Sequence, residues 1–354
     1  APPSGFLALC TANLPEPTIG ANSDTQADDY FNTVLYTGDG GTQAITGVGF
    51  QPDWVWIKER SSTSSHALFD SNRGVTNLLS SDSTSAETDS NSSLTAFGTD
   101  GFTSDGDGKT NQSSQTYVAW NWKANGGTTT TNEAGSIDST VQANTKAGFS
   151  IVTYTGNSTN ATVGHGLSKP PSFIHVKERN NVDNWMFYNE TIGNTKFMHL
   201  NRTTTASVYN VWNNTSPTSS VFSLSTYGSV NNNTDTYVAY CFHSVEGYSK
   251  IGSYTGNGST NGTFVYTGFR PAYVMVKRTD TTGNWVIVDS KRDAFNVCDA
   301  VVSADISDAE YDIDVEDFLS NGFKMRDAHA TRNASGGTYI YMAFGSSFKY
   351  ATAR

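Results

Sequence analysis

One pattern is written three times along this chain of 354 residues, and it limits the fold more than any single motif. Its first copy holds Tyr36-Thr37-Gly38, then Phe50-Gln51-Pro52-Asp53-Trp54-Val55-Trp56-Ile57-Lys58-Glu59-Arg60, then Thr116-Tyr117-Val118-Ala119-Trp120-Asn121-Trp122. The second holds Tyr154-Thr155-Gly156, Phe173-Ile174-His175-Val176-Lys177-Glu178-Arg179 and Thr236-Tyr237-Val238-Ala239-Tyr240-Cys241-Phe242. The third holds Tyr254-Thr255-Gly256, Tyr273-Val274-Met275-Val276-Lys277-Arg278 and Thr338-Tyr339-Ile340-Tyr341-Met342-Ala343-Phe344. The opening Tyr precedes the Lys by 22, 23 and 23 residues and the closing Tyr by 81, 83 and 85. Landmarks in such constant register imply one domain copied in tandem.

The runs around Val55, Ile174 and Val274 are short, β-branched and aromatic, and each follows a proline-marked turn, which predicts buried strands. The closing element alternates. Trp120 and Trp122, Tyr240 and Phe242, and Met342 and Phe344 share one large apolar face, expected to lie in the core of each copy. Gly, Asn, Asp and Ser punctuate the rest, and only 308–319 has room for a short helix. The expectation is an all-β chain of three tandem antiparallel β-sandwich, jelly-roll-like repeats at 34–124, 148–244 and 245–348. Outside them lie an N-terminal leader (1–33), a Gly/Thr/Asn-rich linker (125–147) and a C-terminal tail (349–354). The short junction at 244–250 predicts that the second and third repeats form one rigid body, with the first on a longer tether.

A net charge of −11 with only 22 Lys and Arg leaves no basic stripe for nucleic acid. No apolar run has the length of a membrane-spanning helix, and no signal peptide pattern is present. Cys10, Cys241 and Cys298 fall at non-equivalent positions and read as free thiols. The six histidines lack zinc spacing, and no phosphate-binding loop, dinucleotide or nucleophile-elbow motif occurs, so no catalytic residue and no cofactor are assigned. Asp100, Asp105 and Asp107 on a Gly-rich loop form a weak calcium candidate without the closing Glu of a helix-loop-helix site. The Lys-Glu-Arg run reads as a charged strand end at the domain surface, and Asp305, Asp308, Glu310, Asp312, Asp314, Glu316 and Asp317 as a solvated acidic face. With 17 Tyr, 7 Trp and 19 Phe, rings beyond the needs of three small cores are available to stack on sugars or anchor subunits.

The strings Phe50–Lys58, His66-Ala67-Leu68-Phe69-Asp70-Ser71-Asn72-Arg73-Gly74, Thr116–Ala124 and Phe348–Arg354 resemble the repeated domains of unassigned function in structural proteins of marine tailed bacteriophages, including cyanophages and pelagiphages. Pro2-Pro3-Ser4-Gly5-Phe6 through Pro15 looks like the junction after a lectin-like domain of such proteins. The resemblance covers nearly the whole chain. It implies a virion or extracellular location, a fibre or tail-decoration role, other virion proteins as partners, and assembly with further copies of the chain as a homo-oligomer, a trimer by analogy with fibres. It implies no catalytic residues. Host-surface glycan is the ligand expected for such an adhesion role, with neither nucleic acid nor membrane insertion. A bacterial extracellular carbohydrate-binding array, or a filament subunit, is the alternative.

Overall fold

The computed structural model describes Ile19 and residues 25–346. The leader's prolines, Cys10 and the tail 349–354 lie outside the described residues. Among the described residues, helix is confined to one turn at Gly228–Asn231 and a 3-10 turn at Ala27–Asp29; the rest is antiparallel strand and loop.

Three sheets share one strand order. In the first, the opening strand Phe31–Thr37 pairs with the closing strand Thr116–Trp122, which pairs with the central strand Trp54–Glu59, followed by Ala67–Asp70. In the second the same places are taken by Phe149–Thr155, Thr236–Phe242, Phe173–Glu178 and Met186–Asn189. In the third they are Ser249–Thr255, Thr338–Gly345, Pro271–Arg278 and Val286–Asp289. Tyr36 faces Tyr117, Tyr154 faces Tyr237 and Tyr254 faces Tyr339, so the sequence landmarks are in register in space.

These landmarks have a local cause. In each sheet the two tyrosines stack with ring centroids 5.0, 5.1 and 5.0 Å apart. The opening phenol donates to the carbonyl of Thr110, Val230 or Arg332. The closing phenol accepts the backbone N–H of Gln112, Asn232 or Ala334 and donates to the carbonyl of Gly108, Gly228 or Ala330. The glycine after Tyr-Thr is required by close approach, since a Cβ on Gly38, Gly156 or Gly256 would collide with the carbonyl of Gln112, Asn232 or Ala334. Buried Asn111, Asn231 and Asn333 tie the same loops through their carboxamides.

A second layer covers one face of each sheet. It is built from Gln43–Thr46, Leu94–Gly98 and Gly101–Ser104 in the first segment and from Ala161–Gly164 with Val221–Leu224 in the second. In the third, Phe264–Tyr266, Tyr311–Leu319 and Gly322–Met325 continue from the main sheet through Cys298–Ser303. The stretch expected to allow a short helix is therefore strand. Its alternation lets Glu316 and Phe318 turn inward, which a helical reading could not see. Each layered pair encloses its own core: Val55, Ile57 and Phe102; Val152, Val176 and Phe222; Val274, Val276 and Phe323.

The opposite faces meet one another. Trp54, Trp56, Trp120 and Trp122 pack in a single apolar centre with Tyr240, Phe242, Met342 and Phe344. The large face of each closing strand is thus buried as expected, but in a centre common to the three sheets rather than in separate cores. Trp54 stacks at 4.4 Å on both Trp122 and Tyr240, and Phe31 stacks on Phe344 at 4.8 Å. This corrects the tethered first domain: its aromatic face is the middle of the molecule. The linker stretch is also structured. Thr130–Asn132 and Ser139–Asn144 form a hairpin that extends the second sheet beyond its opening strand. Gly126 and Gly127 are pinned by N–H bonds to the Asp53 carboxylate at 2.9 and 2.6 Å. The opening strand likewise starts at Phe31, within the expected leader.

Candidate functional site

The repeated Lys-Glu-Arg and Lys-Arg runs, with Glu310 of the acidic run, converge on three joints, where a loop of each segment clasps the next and the third clasps the first. Thr84 of the first segment accepts from the backbone N–H of Asp183 and from Lys177 Nζ in the second. Thr203 of the second accepts from Gly283 and Lys277 in the third. Ser307 of the third accepts from Ser64 and Lys58 in the first. A second backbone bond closes each clasp: Glu87 to Arg179, Ala206 to Thr279, and Glu310 to Arg60.

The Lys-Glu-Arg run is therefore not a surface strand end. The three lysines are fully buried on the inward face of their strands, and burial lowers each from the ordinary ammonium range to about 8. Each ammonium donates to a carbonyl of its own segment and to one of its neighbour's. A ring nitrogen repeats the pattern. Trp185 donates to Ser80 at 2.9 Å, Trp285 to His199 at 2.9 Å, and His66 lies 3.0 Å from the Ser303 carbonyl. His66 Nδ1 accepts from Trp56 Nε1, so the proton sits on Nε2, and burial holds the imidazole neutral with its pKa pushed down to about 4.

Two joints carry an ionic network. Asp70 and Arg73 are a buried pair, Arg73 reaches Glu87 at 2.6 Å, and Glu87 in turn holds Arg179 of the second segment at 2.7 Å. The second segment's Tyr240 donates to Asp70 at 2.6 Å. Between the third and first segments, Asp289 pairs with Arg292 at 2.6 Å, Arg292 with Glu310 at 3.0 Å, and Glu310 with Arg60 at 2.6 Å. Trp120 of the first segment donates to Asp289 at 3.0 Å. The arginines hold Glu87 and Glu310 below the usual carboxylate range against the opposing effect of burial.

Among the described residues the joint between the second and third segments has no such network. Asn189 and Ile192 stand where Asp70 and Arg73 stand, and Arg278 pairs with nearby Asp280 at 2.8 Å. Next to this joint His175 lies between Phe173, Phe187 and Trp285 with both ring nitrogens unpartnered, and burial drives its pKa to about 3.

The calcium candidate is not assembled. Asp100 accepts the N–H groups of Gly47 and Gly49 at 3.1 and 2.6 Å, which hold its carboxyl below the usual range. Asp105 accepts from Thr42 and Gly106, and Asp107 from Lys109. These carboxylates bind their own loops, and among the described residues no group of three His, Cys, Asp or Glu is placed to hold a metal. The acidic run is likewise no uniform solvated face: Asp305 and Glu316 are buried and Glu310 is the hub of a joint, while Asp312 and Asp314 are exposed. Burial raises the Glu316 carboxyl far above its ordinary range. Cys241 and Cys298 are free and buried.

Sequence reasoning missed the Asp-x-x-Arg pairs at 70–73 and 289–292, although their shared spacing after equivalent strands is visible. It also missed the rings at 66, 185 and 285, which differ in type but share a place.

A single family pattern covers residues 26–347, both ends of the joint cycle included. The chain belongs to the DUF7483 family, a domain of unknown function. The matched DUF7483 region begins just before the 3-10 turn and ends just after the third closing strand, so it takes in all three sheets and their common centre. No curated protein and no solved structure shows a significant match. No helix among the described residues of this DUF7483 chain is long and apolar enough to cross a membrane.

Proposed function

We propose that this protein is a non-enzymatic virion component of a tailed phage, a fibre or tail decoration that meets host-surface glycan. The observation that carries this reading is the closed cycle of joints. The repeated charged and ring-nitrogen groups of three segments are engaged in holding sheet to sheet, an arrangement suited to a rigid spacer or platform. The resemblance to phage structural domains points the same way. In this reading the three segments are tandem copies of one β-sandwich, and the chain assembles with other virion proteins and with further copies of itself, as a trimer. Mass spectrometry and immunogold labelling of purified virions test it: the chain appears in the particle at defined copy number. Its absence from particles that package normally overturns the reading. Light scattering at micromolar concentration tests the oligomer, for which a monomeric mass counts against self-assembly.

A further inference from the structure

We propose that a cleft between Tyr209 and Tyr227, on the outer side of the second segment, binds a terminal ring of a neutral saccharide. The inference deepens the adhesion reading and rests on it only for the biological source of the sugar. Tyr209, Asn210, Ser225, Thr226, Tyr227 and Gly228 line a cleft of about 220 Å³. That is smaller than the roughly 300 to 1,000 Å³ of drug-sized pockets, a size for one ring at the end of a chain.

The two rings form a fixed corner, with centroids 4.9 Å apart and planes at 60°. Their backbones are anchored. Tyr209 N–H donates to Thr195 at 3.2 Å, Ser225 Oγ donates to the Asn210 carbonyl at 2.6 Å, and Tyr227 N–H donates to Ser225 Oγ at 3.1 Å. Tyr209 is 54% exposed, so one side of its ring is open to a ligand while its backbone is held. Among the described residues the Asn210 carboxamide, the Thr226 hydroxyl and both phenols have no hydrogen-bond partner, which leaves donors and acceptors beside the aromatic corner free for a ligand; Asn210 and Thr226 are exposed. No charged side chain lines the cleft.

That combination selects among ligands. An apolar face with offset hydrogen-bonding groups matches a pyranose, whose C–H face packs on a ring while its hydroxyls pair with amides and hydroxyls. A phosphate or carboxylate ligand would find no cation. The first segment has no counterpart, because Ser90, Asn91 and Ser92 follow its equivalent short strand Thr88–Asp89. Assembly of several chains would multiply this cleft and hold several sugars at once.

Saturation-transfer NMR on the full chain tests this, with methyl glycosides of glucose, galactose, mannose and N-acetylglucosamine at about 10 mM as probes, the range expected for a weak single-ring site. At least one gives saturation transfer, and Tyr209→Ala and Asn210→Ala each weaken it by roughly tenfold or more with circular dichroism and melting temperature unchanged, whereas Tyr209→Phe retains most of it. No transfer from any probe, or transfer indifferent to all three substitutions, overturns the site. Sugar binding by a chain that is missing from virions refutes the phage reading alone; virion location without sugar binding refutes the cleft alone.

Discussion

The joint between the first and second segments and the joint between the second and third use the same backbone clasp and the same buried lysine, yet differ in what fills the space behind it. In the former, Asp70 is matched by Arg73 from its own segment and by the Tyr240 hydroxyl from the next. In the latter the matching places hold Asn189, Ile192 and Met342, so the position that receives a donor elsewhere receives a thioether. The changes are concerted. A carboxylate facing Met342 would lie buried without a donor, and an Arg without its carboxylate would be a buried lone charge. What is common to both joints sets the fold; what varies as a set is a choice between two self-consistent ways of filling one space.

The largest way to break the comparison is Arg73→Ala. It leaves Asp70 and Glu87 short of a cation in a buried setting and should cost about 3 to 5 kcal/mol in denaturant unfolding. Ile192→Ala at the equivalent place of the other joint removes apolar contact only and should cost less, because Ile192 is half-buried. Equal losses would show that the ionic network is not what distinguishes the two.

His175→Phe acts on the apolar joint with the opposite sign. Removing a buried imidazole with two unpartnered nitrogens should stabilise the protein by about 1 to 3 kcal/mol at pH 7. The same substitution changes the acid response. Because the folded pKa of about 3 lies below the unfolded value of about 6.5, the folded state binds fewer protons between them, and stability falls as pH drops from 6.5 toward 3. Unfolding measured at pH 7 and pH 4.5 should show a shallower loss in the variant. His66, His165 and His199, each lowered to about 4 by burial, and His243, also lowered by burial, contribute slope of the same sign that the substitution leaves in place.

A transplant sharpens the comparison further. Asp289→Asn, Arg292→Ile and Trp120→Met together install three residues of the apolar solution between the third and first segments and leave Glu310, whose counterpart there is Ala206, paired with Arg60. If each set is self-consistent, the triple variant should lie within about 2 kcal/mol of the parent, since exchanging a buried ionic group for apolar residues is often near neutral, while Arg292→Ala alone is strongly destabilising. A triple variant worse than the single one would refute the concerted account.

The smallest difference between joints is expected at alkaline pH. All three lysines have folded values of about 8 against about 10.4 unfolded, so the unfolded chain holds more protons between those limits and stability rises with pH there. Lys58→Met, Lys177→Met and Lys277→Met should each remove a similar part of that rise, read by unfolding at pH 7.5 and 9.5.

The all-β class and the register of the landmarks were legible because Tyr36, Gly38 and Tyr117 answer to requirements within one sheet: a stacked pair, a carbonyl too near for a side chain, a phenol bridging a loop. The joints were not legible, because their partners are far apart in sequence. Lys58 and Ser307 are 249 residues apart, and nothing near Lys58 says that its ammonium is covered. The acidic run misled for a related reason. Glu310 and Asp312 look alike in a string of carboxylates, but one meets two arginines from different segments and the other meets water. The aromatic surplus suggests rings free to stack on sugars or anchor subunits, yet Trp54, Trp120 and Trp122 fill a common centre that appears only when three sheets are counted together.

The stacking of Phe31 on Phe344 has a mechanical consequence. These residues sit at the start of the first strand and near the end of the last strand of the described fold, in different sheets, and the two strand ends, with Asp28 and Ser346, line one cavity of about 190 Å³. Tension entering through the flanking chain at both ends is therefore applied across the seam between the third and first segments, not along the length of the molecule. That seam is bridged by Arg60, Glu310 and Arg292. The salt-bridged seam takes the load directly, and the apolar one, on the far side of the cycle, is sheltered from it for as long as the first holds.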